Sequence, residues 1–379
     1  MTATILGLGT ALPPHRLAQE TAAAMSSEFC CGDDEQFKRF ESLYLRSGVQ
    51  ARHSVLLEAA DHGNGKSSGN GNGHGGSHGL TQSFFLPRRD DDDRGPGTAQ
   101  RMQRYIAAAT PLAREAASLA LERSAVQADA IDHLVTVSCT GFAAPGVDIA
   151  LIERLGLRRD VSRTHVGFMG CHGVFNGLRV GSAMARQSGQ AQRVLVCAVE
   201  LCSLHFAYGW DVGRVVANAL FADGAGAVVL GPAYEGSDDA WHLAASGSCI
   251  VPDSGEAMTW NITNHGFAMT LSPQIPAIIR QQLKPWLETW LASHDLTIQQ
   301  VGSWAVHPGG PRILQSVEAA LELEAGALAD SRAVLEAYGN MSSPTILFIL
   351  DRLRAQQAPR PCVALGFGPG LAIEAMLFR

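Results

Sequence analysis

The chain begins MTATILGLGTALPPHR, an apolar stretch with no basic region ahead of it, which reads as a first buried strand and not as a leader. From about residue 130, two kinds of hydrophobic run alternate. IDHLVTVS at 131–138 and RVLVCAV at 193–199 are short, β-branched runs of the kind that form buried strands. VDIALIERLGL at 147–157 and GVFNGLRVGSAMARQSG at 173–189 have helical spacing, and FADGAGAVVLG at 221–231 predicts a tight turn into another strand. The alternation then recurs: helices near 274–293, 311–323 and 343–356, and strands at 301–306, 361–367 and 371–378. This pattern predicts an α/β protein built from two similar halves, residues 1–232 and 233–379.

Two stretches interrupt it. Residues 61–80, DHGNGKSSGNGNGHGGSHGL, have almost nothing to bury and read as a flexible surface insertion. Their three histidines are irregularly spaced and lack a fixed acidic or Cys partner, so no metal site is assigned to them. RRDDDDRGPG at 88–97 reads as a solvated turn before a helix, with Thr98 as its cap and Met102, Ile106, Leu112 and Ala116 on its apolar face.

Composition narrows the function. The 379 residues suffice for two packed halves, and 46% hydrophobic against 17% charged residues describes a chain that hides much of its surface, in its interior or against a partner. Such a composition is compatible with a dimer. A net charge of −7 argues against wrapping nucleic acid or sitting on anionic membranes, and no run of about 18 apolar residues signals stable membrane insertion. The eight cysteines are scattered without a CxxC pair, as expected of free thiols in a reducing cytoplasm.

Three residues stand where chemistry could be done. Cys171, in VGFMGCHGVFNGL, lies where a strand-like segment gives way to a helix, and the positive helix end is expected to lower its pKa. Taken alone it reads more readily as an inert buried cysteine. His307, in SWAVHPGGPRIL, ends a buried strand, where the plain alternative is a structural histidine. Asn340, in AYGNMSSPTILFIL, precedes an apolar helix and could simply cap it. Together they supply a nucleophile, a base and a neutral amide donor, the groups thiol acyl transfer requires. In a cysteine hydrolase the Asn would orient the His; in a condensing enzyme both would point N–H groups at one oxyanion.

The words around them, HPGGP, YGNMSS, GFGPG at 366–370, LFADGAGAV at 220–228 and CTGFAAPGVD at 139–148, closely resemble the chalcone and stilbene synthases, the type III polyketide synthases. The resemblance runs in order from Arg46 onward, excepting the insertion, and points to a bacterial-type member. It implies a thiolase-like five-layer α-β-α-β-α fold in an obligate homodimer. It also implies that Cys171 carries an acyl group taken from an acyl-CoA starter. His307 and Asn340 would stabilise the enolate that malonyl-CoA becomes on losing carbon dioxide, without metal or redox cofactor. Cyclisation to a pyrone, a resorcinol or a related aromatic would follow.

By the same resemblance Phe221 and Met269 are gate positions, Met269 replacing the Phe of the plant enzymes. Cys139, Cys202, His205, Trp260, Ser342, Gly309 and Gly310 fall at substrate-binding positions, Trp260 where chalcone synthases carry a small residue. Arg46 and Arg52 match basic positions that hold CoA phosphates, and Ala144–Pro145 match a loop crossing the dimer interface. Alternative readings are a single condensation of the ketoacyl synthase III kind, a non-catalytic acyl-CoA-binding homologue, and a thioesterase-like hydrolase.

Overall fold

The computed structural model describes residues 3–60, 79–90, 92–186, 191–232 and 240–379. The insertion read at 61–80 falls outside these apart from its last two residues, of which Leu80 begins a short strand pairing with Glu58–Ala59.

Nine strands form one mixed sheet, in the order Ser303–Val306, Cys362–Gly368, Ala372–Phe378, His242–Ile250, Ala3–Ala11, Asp223–Pro232, Val194–Leu201, His133–Ser138 and Ser162–Gly167. At its middle Ala3–Ala11 and His242–Ile250 pair only through Ala3 with Leu243 and Thr4 with His242. Outward from each of these strands the senses repeat: antiparallel, antiparallel, then parallel. The helices form three layers. Thr98–Ser124 and Val147–Leu155 cover one outer face, Ile275–Ala292 and Pro311–Leu321 cover the other, and Gly173–Ala185 and Thr345–Ala355 lie between the two wings of the sheet. This is the thiolase-like five-layer arrangement.

Small residues set the spacing of these layers. A methyl group at Gly7 or Gly9 would meet the carbonyl oxygen of Ala120 or Ala116 at 2.3 Å, so the first strand lies directly on the backbone of the 98–124 helix. That helix answers with Ala109, Ala113, Ala116, Ala117 and Ala120, all fully buried. Such close layers tolerate added volume poorly, because the backbone itself is the neighbour.

The elements read from the hydrophobic pattern are present, with shifted ends. The start of the 98–124 helix is a correction. Gly97 is its cap residue, and Thr98 already lies in the helix, its hydroxyl accepting from Gly266 N at 2.8 Å and donating to Thr263 O. Ile106 is not on the buried face but 53% exposed; Arg101, Tyr105, Ala109 and Leu112 are inside. Elements absent from the sequence reading include the helices Gln19–Cys30, Asp34–Leu45, Val212–Leu220 and Ala329–Tyr338, and the hairpin Met258–Thr263/Gly266–Leu271. Among the described residues no helix is long and apolar enough to cross a membrane.

Candidate active site

Cys171 lies in a single 3-10 turn, Gly170–His172, between the strand Ser162–Gly167 and the helix Gly173–Ala185. Gly170 makes the turn with φ +68°, a value that costs other residues energy. Cys171 is a free cysteine, 7% exposed as a residue, at the wall of a cavity of about 480 Å³. The expectation of a depressed pKa is not met. Burial pushes the thiol up to about 11, Glu200 adds to the rise, and Ser342, Asn340 and the backbone N–H of Cys171 pull the other way.

His307 directly follows the strand Ser303–Val306, and its backbone N–H donates to Leu365 O at 2.8 Å. Its side chain is buried, and neither Nδ1 nor Nε2 has a hydrogen-bond partner. Burial holds its pKa down at about 3, helped by the neighbouring His172, so the imidazole is neutral at ordinary pH. Asn340 is not the cap of the helix that follows, which starts at Thr345 behind Pro344. It bridges Phe221 through the backbone: Asn340 N donates to Leu220 O at 2.8 Å, and Ala222 N donates to Asn340 O at 2.9 Å. Its Oδ1 accepts from Ser342 N at 2.8 Å, leaving Nδ2 buried without a hydrogen-bond partner but close enough to Cys171 to favour its thiolate. A buried donor or acceptor without a partner costs about 1–3 kcal/mol, so Asn340 Nδ2 near the thiol and the two ring nitrogens of His307, which neighbours His172, are costly groups left unsatisfied. Cys171 lines the cavity, whereas His307 and Asn340 lie outside its lining residues.

The cavity brings together most of the other expected residues: Cys139, Cys202, His205, Phe221, Trp260, Met269 and Ser342 all line it. Its far wall is aromatic. His205 stacks on Phe267 at 4.2 Å and meets Trp260 edge-on at 5.3 Å. The His205 ring is fixed by Phe267 N, which donates to Nδ1 at 3.0 Å, and by Thr140 O, which accepts from Nε2 at 2.6 Å. Burial draws its pKa down to about 3. Trp260 Nε1 donates to Cys139 O at 2.7 Å.

Gly309 and Gly310 are not part of the cavity wall. They form the turn after His307, where Gly309 N donates to His307 O at 3.0 Å and Gly310 adopts φ +146°. Arg46 is an exposed residue at the end of the Asp34–Leu45 helix, away from the cavity wall. Arg52 is a correction: its side chain reaches the wall of the cavity, but Nη1 is bound to Asn218 O and Phe221 O at 2.7 and 2.8 Å, and Nη2 to Gln19 Oε1 and Ala219 O. It stitches carbonyls together instead of facing a phosphate. Arg214, which the sequence reading passed over, is exposed at the cavity's rim.

Also missed was Glu200, fully buried behind the cavity. It accepts from Cys139 N at 2.9 Å, Thr140 Oγ1 at 2.7 Å and Ser343 Oγ at 2.9 Å, and burial raises its pKa. In the sequence its only trace is one carboxylate near the end of an otherwise apolar strand.

The chain matches the N-terminal domain of the chalcone and stilbene synthases over residues 92–233 and their C-terminal domain over 242–379. It belongs to the chalcone and stilbene synthase family. Among relatives in this family, it is 33% identical to the 1,3,6,8-tetrahydroxynaphthalene synthase of Streptomyces peucetius subsp. caesius, covering 99% of this chain and 93% of the relative. It is 30% identical to the alpha-pyrone synthesis polyketide synthase-like Pks18 of Mycobacterium tuberculosis, covering 99% of this chain and 91% of that one. Its fold is similar to the crystal structure of PKS-I from the brown alga Ectocarpus siliculosus, with a TM-score of 0.86, 29% identity and coverage of 100% and 98% of the two chains.

Proposed function

We propose that this chalcone and stilbene synthase family member is a type III polyketide synthase that condenses malonyl units onto an acyl group held as a thioester on Cys171. The observation that carries the proposal is the set of orphaned nitrogens: both ring nitrogens of His307, and Nδ2 of Asn340 beside the buried sulfur. Burial keeps the Cys171 thiol protonated and the His307 imidazole neutral before substrate enters, so the proposed cycle develops charge only once substrate is bound.

In the first step the Cys171 proton passes to His307 as the sulfur attacks the starter's thioester carbonyl. The carbon–sulfur bond to CoA breaks and CoA leaves with the proton. Malonyl-CoA then loses carbon dioxide, and the released electron pair forms an enolate whose oxygen accepts from a His307 ring N–H and from Asn340 Nδ2. The enolate carbon attacks the Cys171 thioester, forming a carbon–carbon bond and returning the sulfur. Donors fixed before the charge develops are worth more here than in water. The driving force is the loss of carbon dioxide, and the proposed chemistry calls for no metal or redox cofactor.

Phe221 and Met269 are the proposed gate, and the remaining cavity residues shape the growing chain. An aliphatic acyl-CoA starter and a pyrone or resorcinol product are the proposed specificity; the alpha-pyrone named for one relative and the aromatic product named for another are in keeping with it. We place the division between the halves at residues 232 and 233, after the strand Asp223–Pro232 and ahead of His242–Ile250, from which the strand senses repeat. A cytoplasmic homodimer is the proposed state. Supporting it, Ser162–Gly167 is an edge strand, and Phe142 and Met169 near it are 52% and 41% exposed.

The test is to incubate the protein with malonyl-CoA and a panel of aliphatic and aromatic acyl-CoAs. Intact-protein mass should show an acyl adduct that is absent in Cys171→Ala, and product mass should show added ketide units. Product formation by Cys171→Ala would overturn the proposal, as would free acid as the sole product.

A further inference from the structure

The residue after the nucleophile is also an imidazole, and the proposed chemistry has no use for it. His172 is buried. One helical turn later, Asn176, with its amide oriented as its neighbours require, donates from Nδ2 to His172 Nδ1 at 2.9 Å and to His172 O at 3.2 Å. Its Oδ1 accepts from Arg179 Nη1 at 3.3 Å. Arg179 is ion-paired with Glu374, which also accepts from Ser248 Oγ at 2.8 Å. In this arrangement His172 Nδ1 is the acceptor, and Asn176 fixes the plane of the ring.

The ring's other side lies on bare backbone. A methyl group at Gly368 would sit 2.1 Å from His172 Cδ2. Two contacts of the same kind flank it: Pro369 against Gly170, where a methyl would meet Cδ at 2.6 Å, and Phe175 against Gly366, where the distance would be 2.5 Å. The turn and helix start at 170–175 therefore interlock with 366–369 at three points, and Cys171 lies between two of them. The same strand, through Leu365 O, holds the backbone of His307.

We propose that His172 is a positioning residue for the condensation: its ring, oriented by Asn176, clamps the nucleophile turn to the 366–370 loop and so fixes the Cys171 sulfur relative to His307 and Asn340. This rests on the proposed function only for the reaction used to read it. Its substance is mechanical, a flat ring wedged between helix start and strand end.

Three variants test it, His172→Ala, His172→Phe and Asn176→Ala, each assayed in two ways. In the condensation assay, His172→Ala should lower kcat by about ten- to a hundredfold, the scale of an ångström-level misplacement, with KM for malonyl-CoA changed less than about threefold. His172→Phe restores a flat ring and should recover kcat to within about threefold of the parent. In the second assay, alkylation of Cys171 by iodoacetamide is followed by mass, which needs no polyketide chemistry. His172→Ala should change that rate several-fold and His172→Phe should not. Asn176→Ala, a half-buried truncation within a helix, should move both readouts in the same direction as His172→Ala and serves if that variant does not fold. The proposal is overturned by unchanged alkylation and kcat in His172→Ala and Asn176→Ala, or by a Phe variant no better than the Ala variant. Absence of polyketide from the parent, with the alkylation pattern as expected, would sink the proposed function and leave the clamp standing.

Discussion

Trp260 and Met269 face each other directly across the hairpin Met258–Thr263/Gly266–Leu271, and both line the cavity. Residues opposite one another in an antiparallel pair share a face, so the indole and the thioether form one surface of the cavity. Trp260→Gly should enlarge the cavity and shift product mass toward longer ketides by one or more malonyl units. Met269→Phe should oppose it, and the double variant should differ from the sum of the single effects, as contacting pairs do. Product masses independent of both changes would remove the hairpin from specificity.

Arg52 should matter to stability and not to CoA. Arg52→Met orphans the carbonyls of Asn218 and Phe221, at about 1–3 kcal/mol for each group left unsatisfied. The urea midpoint should fall with KM for malonyl-CoA within about twofold of the parent under conditions where the variant is folded. A large KM increase without loss of stability would return Arg52 to the phosphate-binding role.

Arg214 should show the opposite profile. It is exposed on the cavity's rim, where a cation can attract the phosphates of CoA. Arg214→Glu should raise KM for malonyl-CoA by about three- to tenfold at low ionic strength, leave kcat unchanged and lose its effect in about 0.5 M salt. Equal KM at low salt would exclude a role in capture.

Asn340→Ala removes one of the two donors proposed for the enolate. Loss of a donor of this kind costs about 10²–10³ in kcat. Acylation of Cys171 by the starter should survive, since that step does not use the enolate site. A variant with unimpaired decarboxylation of malonyl-CoA would show that Nδ2 plays no part.

His307 and His205 predict acid sensitivity. Each has a pKa near 6.5 when unfolded and about 3 when folded, because burial disfavours the charged ring. Below 6.5 the unfolded chain takes up protons that the folded one refuses, so the stability they contribute is complete above pH 6.5 and declines as pH falls toward 3. The midpoint of thermal unfolding should drop less between pH 7 and pH 4 in His307→Gln than in the parent. An identical drop would mean that His307 takes a proton in the folded protein.

The parts of the fold readable from sequence were those with a strong period or a fully apolar run, such as Val194–Leu201 and Gly173–Ala185. Gln19–Cys30 escaped because QETAAAMSSEFC has no apolar seam; its alanines pack through closeness rather than hydrophobic bulk. Met258–Leu271 escaped because its faces are mixed, turned partly to the cavity and partly outward. Cys171, His307 and Asn340 were legible as a set through their flanking words. The charge state of Cys171 was not, since desolvation comes from distant elements, and Arg52 misled because an arginine in sequence does not reveal whether it meets phosphate or carbonyl.

The bridge between Phe221 and Asn340 divides what can vary from what cannot. Side chains on the 258–271 hairpin can be exchanged to admit different guests while the donors stay still. A change that displaces the backbone at Phe221 drags the carboxamide along through Leu220 and Ala222. Redesign for new starters should therefore begin on the hairpin, where errors alter the fit of the substrate and spare the chemistry.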